Sequence, residues 1–393
     1  MSTAAAAGVP TSTDLIAAAY ELVPALRAEA AACEREGRVS DATIAALHRA
    51  RLFDIVKPRR YGGFELGWDV FCEAVVAIAS GCGSTGWVYA VVGGHAPVAA
   101  RFGTDFLDEM WGENPRALMS SCRRGSGQLV PVTGGFRATG SGLFSSGCLN
   151  ADWVIVEDMP VIDSAQTMTM VIPRRDVTVL DTWHVLGLCG TGSNDLTFED
   201  LFVPDHRVWY PGKVPSGEAL DGALFRTPHL GGPYALPAVL LGIALGSLEQ
   251  FIAFTAKRTR RTLALSTTES MQMRVGESAA ELDAAHTLLR VKLQELMATW
   301  AGMDRAGDGI LPAGGKDAGY DHLLMTFVAQ SSYAAVNRLM LAAGASQMKL
   351  SESFQRSFRD VLAGLQQPSN DWDRGRIDGG RALFATARAM PGA

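Results

Sequence analysis

Apolar positions recur at helical spacing near both ends of the chain, with a stretch of different texture between them. Leu15, Ala19, Leu22 and Leu26 fall on one helical face. They predict a helix over Leu15–Glu36, capped by Thr13-Asp14 and closed by Gly37. Residues 1–11 read as a frayed tail. Ser40-Asp41 opens a shorter helix carrying Ile44, Leu47 and Leu52, and Pro58–Gly67, with its Gly62-Gly63 pair, reads as a loop. Two helices follow, Asp69–Ala79 and Ser84–Phe102, with Gly93-Gly94 as a kink or loop break in the second. From Arg116 the period shortens. Runs rich in β-branched residues alternate with Gly and Ser: Gln128–Val132, Gly135–Thr139, Trp153–Val156, Met168–Ile172, Val177–Val179 and Asn194–Val203. Such spacing predicts a small all-β domain, which Pro204 closes. After Pro233 the helical period returns as four long helices, Tyr234–Thr259, Met271–Ala301, Gly319–Ala343 and Ser351–Leu365, with a Gly/Asp-rich break at Gly307–Gly315. The implied domains are 1–115, helical; 116–212, β; and 213–393, helical.

Composition narrows the class. The chain has 393 residues, 48% apolar and 19% charged, which suffices for a large buried core. A net charge of −6 with scattered Lys and Arg argues against a nucleic-acid partner. The six cysteines (Cys33, Cys72, Cys82, Cys122, Cys148, Cys189) form no Cys-x-x-Cys pair and do not cluster with His. Metal binding is therefore not expected, and free thiols in a reducing cytoplasm are. The Ala-rich start lacks the basic region of a signal peptide. No apolar run is read as reaching the roughly 18 residues that span a membrane, so no membrane partner is expected. No strand–GxGxxG–helix unit is present, which argues against a built-in nicotinamide domain.

The stretch Ala138–Trp153, ATGSGLFSSGCLNADW, carries the strongest candidate chemistry. A turn-rich segment feeding a buried strand places small hydroxyls and backbone N–H groups beside a flat ligand. Ser145 and Ser146 are the candidate hydroxyls; the competing reading is a plain tight turn. Gly187, Gly190 and Gly192 let backbone approach a flat ring, or simply make turns. In Lys257–Arg261, the three arginines Arg258, Arg260 and Arg261 suit a phosphate, or form a solvated basic helix end. Arg123-Arg124 fit the mouth of a site or plain surface charge.

Several motifs together resemble a known family. The helix–sheet–helix order resembles the acyl-CoA dehydrogenase fold: mostly α, with an N-terminal helical domain, a middle β-barrel and a C-terminal four-helix bundle. Trp183-His184-Val185-Leu186-Gly187-Leu188-Cys189-Gly190-Thr191-Gly192-Ser193 with Phe198–Pro204, and Phe354–Val361 on the late helix, are similar to that superfamily's signatures. More narrowly, Gly86-Trp87-Val88 with His95, Gly134-Gly135-Phe136, Phe144-Ser145-Ser146-Gly147 and Ala151-Asp152-Trp153 resemble the two-component flavin monooxygenases of this fold. The resemblance spans about Asp14 to Asp378. It implies reduced FMN or FADH2 from a separate NAD(P)H:flavin reductase, dioxygen as co-substrate, a C4a-hydroperoxide on the flavin, a small aromatic substrate and a homotetramer.

Carried over by position, Trp87 and His95 match residues facing the substrate side of the flavin. Ser121 matches a hydroxyl at the substrate and flavin edge, and Ser146 one beside flavin N5. His95 suits a base, because imidazole titrates near working pH; without the match, His95 and Trp87 read as core residues. Gly190 and Thr191 are candidates at the cofactor. Arg356 and Arg359 are candidates for a neighbouring subunit's flavin, or Arg359 pairs with Asp360 or another acid. Gln367 stands where the resemblance places a His. The same position in an acyl-CoA dehydrogenase needs a carboxylate base, which Gln cannot replace, and the Thr-Glu-Pro flavin motif is absent. An oxygenase is favoured over a dehydrogenase or oxidase of the same fold, and nitrogen hydroxylation is a variant of the same chemistry.

Overall fold

The computed structural model describes residues 9–213, 216–218, 220, 222–225, 232–260, 262–302 and 318–388. The predicted break at Gly307–Gly315, Arg261 and the first eight residues of the predicted tail lie outside them.

The N-terminal helices are α1 (Ser12–Glu36), α2 (Asp41–Arg49), α3 (Trp68–Gly81), α4 (Gly83–Gly94), α5 (Ala96–Ala99) and α6 (Thr104–Leu107). The cap of α1 is Thr11 rather than Thr13-Asp14. Asp14 N–H donates to Thr11 Oγ1 (3.2 Å) and Thr11 N–H to Asp14 Oδ2 (2.8 Å), a reciprocal box that needs the two residues three apart. The predicted helix over Ser84–Phe102 is broken at His95, just after Gly93-Gly94. The apolar α3 is buried nearly all round, as expected of a helix walled in by neighbours.

Strands β1 (Met119–Val132), β2 (Gly135–Ser145), β3 (Trp153–Pro160), β4 (Thr167–Pro173), β5 (Thr178–Leu180), β6 (Asn194–Pro204) and β7 (Val208–Trp209) form one seven-stranded sheet, ordered β5-β6-β2-β1-β3-β4-β7. β1 and β3 run parallel; the other pairs are antiparallel. β1 begins nine residues earlier than its apolar run suggested. In Met119–Arg123 the buried residues Met119, Ser120 and Cys122 include a serine and are followed by the exposed Arg123, so no apolar run marks the strand. One face of the sheet packs a separate core of Leu129, Val154, Val156, Met170, Leu196 and neighbours.

The C-terminal helices are α7 (Gly232–Ala256), α8 (Glu269–Ala301), α9 (Ala318–Ala343), α10 (Ser353–Gly364) and α11 (Trp372–Arg388), with a small hairpin, β8 (Thr259–Arg260) and β9 (Leu263–Ala264), after α7. Contrary to the sequence reading, the stretch Tyr234–Ala256 is long and apolar enough to cross a membrane, with mean hydropathy 1.7. Its hydropathy answers to protein neighbours, because α7 is largely buried among α3, α4, α8, α9 and α10. α11 was not predicted. Its glycines read as breakers, yet a Cβ at Gly375 would strike Thr326, and one at Gly379 would strike Leu323. They let α11 lie close against α9.

Candidate active site

The turn after β2 brings the central groups together. Phe144 is left-handed (φ 60°), as is Gly147 (φ 73°). A Cβ on Gly147 would press on Val88 and Val92, so glycine lets the turn seat on α4. Gly147 N–H donates to Thr191 O (2.9 Å), tying the turn to the Trp183–Ser193 segment.

The end of β2 separates the two candidate serines: Ser145 is its last residue and Ser146 opens the turn. Ser145 is fully buried and donates to Ser120 Oγ (3.3 Å), which in turn donates to Trp153 O (3.4 Å). The structure thus turns Ser145 into the sheet domain, where its hydroxyl is engaged with Ser120. Ser121, on the other face of β1 from Ser120, stays half-buried. Ser146 is half-buried and accepts from Trp87 Nε1–H (3.2 Å); its Oγ also lies 2.7 Å from Ser193 Oγ.

Ser193 was missed as a site residue. It lies 2.7 Å from Thr191 Oγ1, which donates to Leu188 O (2.7 Å). Leu188 is itself left-handed (φ 55°), and its N–H donates to the buried Asp360 carboxylate (2.6 Å) while its carbonyl also accepts from Trp183 Nε1–H (3.1 Å). Burial pushes Asp360 up to about 6, against the pull of the Leu188 N–H. Asp360 was in view only as a partner for Arg359. Only the fold reveals its bond to a backbone amide far away in sequence.

His95 sits between α4 and α5 and bonds through Nδ1 to Met119 O (2.6 Å). A carbonyl only accepts, so Nδ1 carries the hydrogen and Nε2 is the basic nitrogen. Burial lowers its pKa to about 4, partly opposed by the Met119 bond. His95 also lines a small cavity with His48, Lys57 and Trp111.

The other candidates hold structural places. A Cβ on Gly190 would strike Cys33, and one on Gly187 would strike the backbone of Arg359; these glycines dock the segment on α1 and α10. Arg356 and Arg359 both bind Glu34 of α1, and Arg359 also donates to Leu186 O (2.6 Å). Their guanidinium groups are thus engaged within the chain, the acid-paired alternative noted for Arg359. Arg258 lies over Phe254 (4.7 Å) and donates to Ala343 O (3.2 Å) at the end of α9. Gln367 accepts from Ser369 N–H (2.6 Å) and from the Ser369 hydroxyl, capping the turn Pro368–Asn370. The structure brings Trp87, Ser146 and Thr191 into one hydrogen-bonded series and leaves Ser145, Arg258, Arg356, Arg359 and Gln367 outside it.

The residues present suit a flat, redox-active ring. Ser146 offers a half-buried oxygen. Two residues before it the ring of Phe144 is exposed (59%), with Trp183 edge-on to it at 6.3 Å. Apolar surface around one aimed polar atom is the usual lining of a cofactor site.

Comparison with known proteins agrees. Family models described as acyl-CoA dehydrogenase, N-terminal and C-terminal domains, match residues 17–113 and 234–368. The class is therefore the acyl-CoA dehydrogenase fold. Flavin-dependent monooxygenase, oxygenase subunit HsaA, of Mycobacterium tuberculosis is 33% identical over 94% of this chain and 95% of its own. The oxygenase component of FADH(2)-dependent resorcinol hydroxylase of a Rhizobium species is 32% identical over 88% of each. Among solved structures, 3-HSA hydroxylase from Rhodococcus sp. RHA1 superposes with a TM-score of 0.84 at 28% identity, covering 95% of this chain and 97% of that one. The chain belongs to the oxygenase subunits of flavin-dependent monooxygenases.

Proposed function

We propose that this protein hydroxylates a small aromatic substrate with dioxygen and reduced FMN or FADH2, which a separate NAD(P)H:flavin reductase delivers. The observation that carries this reading is Ser146, a half-buried hydroxyl held by Trp87 and Ser193, with the exposed ring of Phe144 two residues before it. Bound reduced flavin and dioxygen supply the oxygen atom that is transferred. The protein supplies placement, electrostatics and dryness. Ser146 would hold the flavin at its N5 edge, Trp87 would wall the ring, and Phe144 and Trp183 would keep water from it. His95, neutral at working pH with its hydrogen on Nδ1, would accept a hydrogen bond from a phenolic hydroxyl at Nε2 and so orient the substrate and polarise its O–H, rather than hold its proton. Ser121, two residues along the same strand face from Met119, lines the substrate side.

We place the protein in a reducing cytoplasm, in keeping with six free thiols, and read it as a homotetramer. In support, Leu341 (79% exposed), Met348 (64%) and Leu350 (77%) put apolar surface on the outside around the end of α9.

The test is anaerobic titration with photoreduced FMN and FAD, then admission of oxygen with a panel of phenols and polycyclic alcohols. The expected result is uptake of reduced flavin and formation of hydroxylated product, with Ser146→Ala diverting oxygen to hydrogen peroxide at least several-fold. Oxidation of acyl thioesters by a tightly held oxidised flavin, with no hydroxylated product, would overturn the reading.

A further inference from the structure

The hydroxyl series beside Trp87 can be oriented from its ends. Leu188 O only accepts, so the Thr191 hydroxyl spends its single hydrogen there. In the 2.7 Å contact between Thr191 and Ser193, Ser193 must then be the donor. Its hydrogen being spent, Ser193 can only accept in its 2.7 Å contact with Ser146, so the Ser146 hydrogen points at Ser193. From the other side, Trp87 Nε1–H only donates, and it occupies one lone pair of Ser146. What remains on Ser146 is a lone pair with no hydrogen to offer.

The far end of the series is anchored. Thr191 and Ser193 are both buried, which favours a single hydrogen-bond pattern over exchange with water. The carbonyl of Leu188 takes a second donor, Trp183 Nε1–H, and its N–H is held by Asp360. The direction of every hydrogen is therefore dictated by groups that cannot reverse.

We propose that Thr191 and Ser193 are positioning residues that fix Ser146 as a hydrogen-bond acceptor and so make the site prefer reduced over oxidised flavin. The inference rests on the flavin reading above. Reduced flavin carries a hydrogen on N5 and can donate it to Ser146. Oxidised flavin presents a bare lone pair at N5, which would face the lone pair of Ser146. Such a site takes up reduced flavin and lets the oxidised product go, as an enzyme fed by a separate reductase requires.

Thr191→Val keeps the side-chain shape and removes the acceptor for the Ser193 hydrogen. Ser193 then turns its hydrogen to Ser146, and the Ser146 hydrogen is free to meet oxidised N5. Ser193→Ala removes the acceptor for Ser146 directly. Thr191→Ser and Ser193→Thr retain the hydroxyls.

The measurement is the ratio of dissociation constants for oxidised and reduced FMN, from titrations in air and under anaerobic conditions. The midpoint potential of bound flavin, read against a redox dye, is the second readout. The expected result is tighter binding of reduced flavin by the native protein. Thr191→Val and Ser193→Ala should each lower the ratio by about tenfold, the weight of one buried hydrogen bond. By linkage, the two-electron potential should fall by about 30 mV. The hydroxyl-retaining variants should keep the native ratio. An unchanged ratio in both Thr191→Val and Ser193→Ala, with flavin still bound, overturns the inference and leaves the function standing. No flavin affinity in either redox state overturns both.

Discussion

At the scale of single residues, position matters less than which atom a neighbour has already claimed. His95 is the clearest case. Met119 O fixes the hydrogen on Nδ1, and burial lowers the folded pKa to about 4. The unfolded value is near 6.5. Because the folded value is depressed, the contribution of His95 to stability is complete above about 6.5 and is lost as pH falls through 4. We predict that imidazole nitrogen shifts of His95 report the neutral Nδ1–H form from pH 8 down to pH 5; a midpoint near 6.5 would refute the assignment. Sequence pattern could mark FSSG as chemically rich but could not separate Ser145 from Ser146. Ser145 is the last residue of β2, paired with Asn194, and Ser146 opens the turn, a boundary invisible without the partner strand. The same holds for Arg356 and Arg359. Nothing near them in sequence points to Glu34 on α1, which binds both.

At the scale of elements, α10 governs the segment that carries Thr191 and Ser193. It does so through Asp360, which holds Leu188 N–H, and through the close pass of Gly187 over the Arg359 backbone. Burial raises Asp360 from an unfolded value near 3.8 to about 6. The raised value means that its share of stability is complete below about 3.8 and is lost as pH rises through 6. By pH 7, where the group is ionised in both the folded and the unfolded chain, about 3 kcal/mol of the stability present at low pH is lost. Asp360→Asn keeps an oxygen for Leu188 and discards the charge. We expect it to flatten the pH dependence of the urea midpoint between pH 4 and 7, and to be at least as stable as the native protein above pH 7. A large loss of stability at pH 8 would show instead that the charge itself is required, through Arg356 and Arg359. Helices whose stability comes from an apolar stripe, such as α1 and α9, were legible in the sequence. α11 was not, because Gly375 and Gly379 serve contact with α9 at the expense of intrinsic propensity.

At the scale of the molecule, the order of textures carried most of the fold. Helical spacing, then β-branched runs, then helical spacing again could be read before any contact was known. The surface was less legible, because an apolar residue on a helix looks the same whether it faces a core or a partner. On α9, Val336, Leu339 and Ala343 are buried, while Leu341, between them in sequence, is almost fully exposed. Met348 and Leu350 follow within a short stretch, also exposed. Isolated exposed apolar residues are ordinary, but several large ones in one segment mark a contact surface. If this surface joins subunits, charge placed on it should weaken assembly while the fold is kept. We predict that the native protein sediments as a tetramer at micromolar concentration. Leu341→Asp with Leu350→Asp should raise the dissociation constant by more than about tenfold, since truncating central apolar contacts costs that much or more. Far-ultraviolet circular dichroism should be unchanged. A native protein that sediments as a monomer, or a double variant that stays tetrameric, would remove this surface from the assembly. Reduced-flavin affinity measured on the dissociated variant then separates two designs. Retained affinity means that Ser146, Trp87 and their hydroxyl series suffice within one chain. Lost affinity means that a neighbouring subunit completes the site, and a partner group then supplies the cation that Arg356 and Arg359, bound to Glu34, do not.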